Sequence, residues 1–140
     1  MGLLDDYSGI GSPRPIWQHQ IVMSNLHGNA AAELKQKGLL LLTEATVTDD
    51  WDDKAPDLVI FDKNMYPLTI IEITRNYQLD AIMDKCEELM ERFPDSEYFV
   101  YDYEEQILHQ YAYQSDEWVS SEECELKSNY LNKPLINYTR

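Results

Sequence analysis

The sequence predicts an α/β fold in which a mixed central sheet is flanked by helices, and three observations carry that expectation. Leu58–Phe61 and Leu68–Ile73 are short apolar runs without clean alternation, as central strands covered on both faces should be. Leu79, Ile82, Met83, Cys86, Leu89, Met90 and Phe93 recur at helical spacing. Glu97–Tyr103 and Gln106–Tyr113 are rich in β-formers around a Glu104-Glu105 turn.

Taken in order, residues 1–14 hold two glycines and little periodicity, and read as an irregular lead-in. Pro15 suits a helix start, because proline is tolerated in the first turn. Ile16, Met23, Leu26, Ala30 and Leu34 then share one face, and Gly38 closes the pattern, so a first helix is expected over about 15–37. Gly28 inside it either costs about 1 kcal/mol against alanine or marks close packing. Leu39–Val47 reads as a strand, and Asp49–Lys54 as a solvated acidic loop. The two central strands follow, joined by the turn-rich connector 62–67 into a hairpin. The second helix is expected over 78–92 with Pro94 as its stop, then a second hairpin, then one or two edge strands within 115–140.

At 140 residues, 44% of them apolar, the chain has enough material for one core and one domain, and disorder is excluded. Apolar runs fall far short of the roughly 20 residues of a membrane span, so no membrane partner is expected. Residues 1–6 carry two acids and no basic region, unlike a secretory signal, which points to the cytoplasm. In that compartment Cys86 and Cys124 are expected as thiols. The 26 acids against 11 bases give a net charge of −15, which weighs against a nucleic-acid partner, since such proteins usually show a basic stripe. A bound metal ion offsets part of that repulsion locally.

Two acids stand where chemistry is expected. Asp57 follows Pro56 at the start of one central strand, and Glu72 sits between Ile71 and Ile73 near the end of the next. A hairpin places those ends side by side, and a carboxylate inside a central strand is costly to bury without a partner. Such a pair suits Mg²⁺ or Mn²⁺, hard ions that take oxygen ligands and keep several waters. Glu44, in the preceding strand, is a candidate extra ligand. His19 shares the apolar face of the first helix, fitting either a core histidine or a residue supporting the site, while His27 and His109 read as structural.

Asp57 followed by Glu72-Ile73-Thr74 resembles the PD-(D/E)XK signature of restriction-endonuclease-like proteins, with Thr74 where the lysine usually stands. The run His19-Gln20-Ile21, Pro56-Asp57-Leu58-Val59, Ile71-Glu72-Ile73, Asp80 with Lys85, and Tyr98-Phe99-Val100-Tyr101-Asp102 is similar to the Uma-type restriction-endonuclease-like family over about residues 16–113. The resemblance implies a restriction-endonuclease-like sheet and a metal-dependent cut in nucleic acid. It assigns catalytic roles to Asp57, Glu72 and Lys85, the metal to Asp57 and Glu72, and supporting roles to His19, Thr74 and Asp80. In that family the lysine has moved onto the following helix. Here Gln78, Lys85 and Arg92 line one flank of the helix's apolar stripe, and Asp80, Glu87 and Glu91 the other. The loop Thr74-Arg75-Asn76-Tyr77 departs from the family's Ser-Pro-Ser type.

Two readings from other classes stay open. One is a nuclease fold kept as a binding or regulatory module, favoured by Thr74 and the surplus of acids. The other is an acidic interaction protein that mimics nucleic acid. The Tyr-rich stretch 98–113 also suggests a homodimer surface, since tyrosine is enriched at interfaces. No Gly-rich phosphate loop, HExxH, CxxC pair or nucleophile elbow is present.

Overall fold

Leu58–Phe61 and Pro67–Thr74 are neighbouring antiparallel strands in the interior of the sheet, every residue of the first and all but Leu68 of the second being buried. The computed structural model describes residues 17–45, 47, 55–121 and 126–140. The elements are α1 (Trp17–Gln36), β1 (Leu40–Thr43), β2 (Leu58–Phe61), β3 (Pro67–Thr74), α2 (Leu79–Arg92), β4 (Glu97–Asp102), β5 (Ile107–Ala112) and β6 (Glu117–Ser121). The lead-in 1–14, the loop Asp49–Lys54 and Cys124 lie outside the described residues.

The strands form one mixed sheet in chain order, β1-β2-β3-β4-β5-β6. All neighbours are antiparallel except β3 and β4, which run parallel and are bridged by α2. A parallel pair needs such a crossover, whereas the antiparallel pairs close through short turns.

The lack of alternation in β2, β3 and β4 has a direct cause: both faces are covered. Leu58, Ile60, Ile71, Ile73, Phe99 and Tyr101 pack with Val22, Leu26, Ala30 and Leu34 of α1. Val59, Phe61, Ile70, Tyr98 and Val100 pack on the other face with Cys86 and the apolar stripe of α2. Burying each such side chain contributes about 1.5–3 kcal/mol, so residues of both parities must be apolar.

Helix α1 ends as its glycine predicts. Gly38 adopts φ +77°, its N–H donates to the Lys35 carbonyl, and the Leu39 N–H donates to the Leu34 carbonyl at 2.9 Å. This is the paired 5→2 and 6→1 closure of a Schellman motif. Gly28, by contrast, has nothing within 4 Å of the place a Cβ would occupy, so it does not serve close packing.

Three expectations need adjustment. The strand expected over Leu39–Val47 is only four residues, because Glu44 takes a left-handed φ of 52° and ends the ladder. The region 115–140 supplies one edge strand, β6. The segment 126–140 instead lies against α1 with Leu131, Leu135, Ile136 and Tyr138 in the core. Asn25 and Asn29 donate to carbonyls of residues 138–140, and Glu33 accepts the Tyr138 hydroxyl at 2.7 Å and the Asn132 N–H at 2.6 Å. Finally, Tyr98 and Tyr101 are buried, so of the tyrosines in 98–113 the aromatic cluster Tyr111, Tyr113 and Trp118 is what faces outward. Among the described residues no helix is long and apolar enough to cross a membrane.

Candidate active site

The site lies at the end of the sheet where β2 begins and β3 and β4 finish. Leu58 is paired with Ile71, so one step outward along the hairpin sets Asp57 opposite Glu72. Asp57 stands just before β2, where the chain no longer follows the strand, and its carboxylate turns to cap β3. Oδ2 accepts the Ile73 N–H at 2.7 Å. The same oxygen lies 3.3 Å from His19 Nε2 on α1. The Asp57 carbonyl accepts the Glu44 N–H at 2.9 Å, which anchors the end of β1 to the same point.

Glu72 faces the α2 side of the sheet with only 2% of its surface exposed. The Asp57 backbone N–H donates to its carboxylate. Lys85, on the flank of α2, brings Nζ to 2.7 Å from Glu72 Oε2. That is a close ion pair, but its direction is not that of a good hydrogen bond, and Oε2 is left buried with its lone pairs unsatisfied. A buried ionised oxygen in this condition is expensive.

The electrostatics follow from these positions. Burial and the neighbouring Asp57 carboxylate push Glu72 up to about 7, against the pull of Lys85 in the opposite direction. His19 is raised above its usual value of 6.5, mainly by its hydrogen bond to Asp57, with burial opposing and the charges of Asp57, Glu44 and Glu72 adding to the rise. The cluster therefore has more negative charge than its two nearby bases neutralise when all its acids are ionised.

Each residue singled out in the sequence has a definite place. Asp57, Glu72, Lys85 and His19 are brought together. Glu44 is exposed at the rim, where its charge acts on His19. Thr74 is buried two residues beyond Glu72, and its hydroxyl donates to the Arg75 carbonyl at 3.2 Å instead of reaching the acids. Asp80 is exposed in the first turn of α2. His109 is buried against Ser120, its Nδ1 2.6 Å from that hydroxyl, and burial lowers its pKa.

Two contributors could not be found from residue types. The Ile73 N–H that fixes Asp57 is a backbone group, and only the hairpin register reveals it. Tyr103, whose ring meets His19 edge-on at 6.4 Å, follows β4 with no spacing signal linking it to α1.

The donor set fits a hard divalent cation. Two carboxylates from adjoining strands meet, one with a buried oxygen short of partners. Among the described residues no group of three or more His, Cys, Asp and Glu side chains is gathered for a metal. Mg²⁺ commonly takes only one or two carboxylates and completes its shell with water and substrate phosphate. No protein-family model matches this chain, and no curated protein matches it significantly, so the reading of the site rests on its own residues.

Proposed function

We propose that the protein is a metal-dependent endonuclease that hydrolyses phosphodiester bonds in nucleic acid. The observation that carries the reading is the buried Glu72 carboxylate, set beside Asp57 and held by a lysine from the following helix. A central strand tolerates such a charge only for a reason, and buried acids with strongly raised pKa cluster at functional sites.

In this reading Asp57 and Glu72 hold Mg²⁺ or Mn²⁺. The ion supplies Lewis acidity and a water of lowered pKa next to the scissile phosphate. The chain's own residues do the positioning. The Ile73 N–H and His19 fix the rotamer of Asp57, leaving Oδ1 directed elsewhere. Lys85 keeps Glu72 ionised, and its Nζ, with a quarter of the side chain exposed, is the cation closest to an incoming phosphate. Thr74, occupied with its own backbone, leaves that role to the helix.

The test is Mg²⁺-dependent nicking of a supercoiled plasmid by the purified chain. Glu72→Ala and Asp57→Ala should abolish it, and Lys85→Met should slow it on the order of 100-fold, as loss of one electrostatic stabiliser does elsewhere. Nicking that persists in chelator, or that survives Glu72→Ala, refutes the reading. The net charge of −15 favours a second reading, a binding module without catalysis. That module predicts a partner whose capture is indifferent to Mg²⁺ and to Asp57→Ala.

A further inference from the structure

A separate cleft of about 260 Å³ opens beside the acid cluster, between the start of α1 and the turn after β4. Its lining includes Trp17, Gln18, Ile21, Tyr101, Tyr103 and Arg140. Its volume suits one planar ring system and not a drug-sized ligand, whose sites begin near 300 Å³.

Three features specify the occupant. Trp17 is 65% exposed, a large aromatic surface held at the mouth by the first turn of α1. Tyr103 lines the same cleft and touches His19 edge-on, and His19 in turn meets Asp57, so the cleft and the acid cluster share a wall. The side-chain amide oxygen of Gln18 is buried with no hydrogen-bond partner. Whichever way that amide is turned, one polar end lies against the cleft without a partner, at a cost of about 1–3 kcal/mol.

We infer that this cleft is a subsite for an unstacked nucleobase, read by stacking on Trp17 and Tyr103 and by an edge hydrogen bond to Gln18. The choice of ligand rests on the nuclease reading of Asp57 and Glu72. The chemistry of the cleft matches it independently, because aromatic faces accept any base while a glutamine amide pairs with a base edge offering both donor and acceptor. Adenine presents such an edge. A base held here implies that the backbone at the acid cluster is single-stranded or locally opened, since a base within a duplex cannot leave its stack without cost.

Neutral nucleosides test the subsite, because they remove the repulsion that a chain of charge −15 exerts on phosphates. The three tryptophans give three indole N–H signals in a ¹⁵N-labelled sample, and Trp17→Leu identifies one of them by its loss. Titration of wild-type protein with adenosine should shift the Trp17 indole signal and a glutamine side-chain amide, and leave Trp118 in place. Adenosine should bind at least fivefold more weakly to Trp17→Leu and to Tyr103→Leu, the low end of what one stacked base contributes. Gln18→Leu should reduce the preference for adenosine over thymidine. A titration that leaves the Trp17 signal unmoved, moves Trp118 equally, or gives the same affinity in all three variants overturns the subsite.

A nucleic-acid arm separates this inference from the one it rests on. Adenosine binding without Mg²⁺-dependent nicking keeps the subsite and removes the nuclease. Nicking equally fast on single strand and duplex, unaffected by Trp17→Leu, keeps the nuclease and removes the subsite.

Discussion

Glu72→Gln should reverse part of the pH dependence of folding. The wild-type carboxyl titrates near 7 in the folded chain and near its ordinary 4.5 when unfolded. Between those values the folded state holds a proton that the unfolded state has lost, so stability falls as pH rises. The contribution is fully present below about 4.5 and gone above about 7. At about 1.4 kcal/mol for each pH unit separating the two values, the wild-type chain loses about 3 kcal/mol over that window. Glutamine keeps the shape and does not titrate, and Lys85 can swing its partly exposed ammonium to solvent.

Urea unfolding of both proteins from pH 4.5 to 8 measures the effect, and the difference between the two curves removes every other titrating acid. The variant should gain on wild type by about 3 kcal/mol across the window, most steeply from pH 5 to 7. Adding Mg²⁺ at about a hundred times its Kd should return about 2.7 kcal/mol to wild type at pH 8, and little to the variant. Parallel curves would show that Glu72 is not held as a destabilised acid, and a gain of opposite sign would mean that its partners outweigh its burial.

His19 titrates with the opposite kind of partner, so its folded pKa is raised by Asp57 and its contribution is present below 6.5 and lost as pH rises through the higher folded value. Its ring resonances should show a midpoint above 6.5 in wild type that falls in Asp57→Asn, where burial alone remains; an unchanged midpoint would break the link. The two glycines of α1 should respond in opposite directions to alanine. Gly38→Ala should cost about 1 kcal/mol or more because of its left-handed φ, while Gly28→Ala, with open space around it, should gain up to about 1 kcal/mol. Thermal or urea midpoints decide both, and equal effects would contradict the cap geometry. Leu26→Ala, in the core beneath α1, should cost 2–5 kcal/mol by cavity formation, and a loss under 1 kcal/mol would mean the helix is not packed as described.

Those elements whose cause is local were legible in the sequence. The stripe of α2, its stop at Pro94, the glycine closure of α1 and the full burial of β2 each follow from a few adjacent residues. Glu72 was legible for the same reason: an acid among isoleucines contradicts its neighbours. What could not be read depends on distant pairing. The segment 126–140 has the composition of edge strands, but Leu135, Ile136 and Tyr138 find their partners on α1, more than 90 residues away. His19 had two fair readings from its helix face, and only the Asp57 contact, 38 residues along the chain, separates them. The shortness of β1 turns on one left-handed residue, Glu44, which no propensity at that position announces.

The position of Lys85 ties the electrostatics of the site to the packing of a helix. A lysine at Thr74 would reach the acids from the strand itself, but that side chain is buried and turned to its own backbone. The ammonium arrives instead from α2, whose seat on the sheet is Cys86, fully buried one residue further on. Were α2 to lift, Glu72 would lose the one influence from a basic side chain that lowers its pKa and keep Asp57 beside it. The acid would then take up a proton near neutral pH and lose its value as a ligand. Docking of the helix and ionisation of the carboxylate are therefore one linked equilibrium, in which a cation held by Asp57 and Glu72 favours the docked, ionised form.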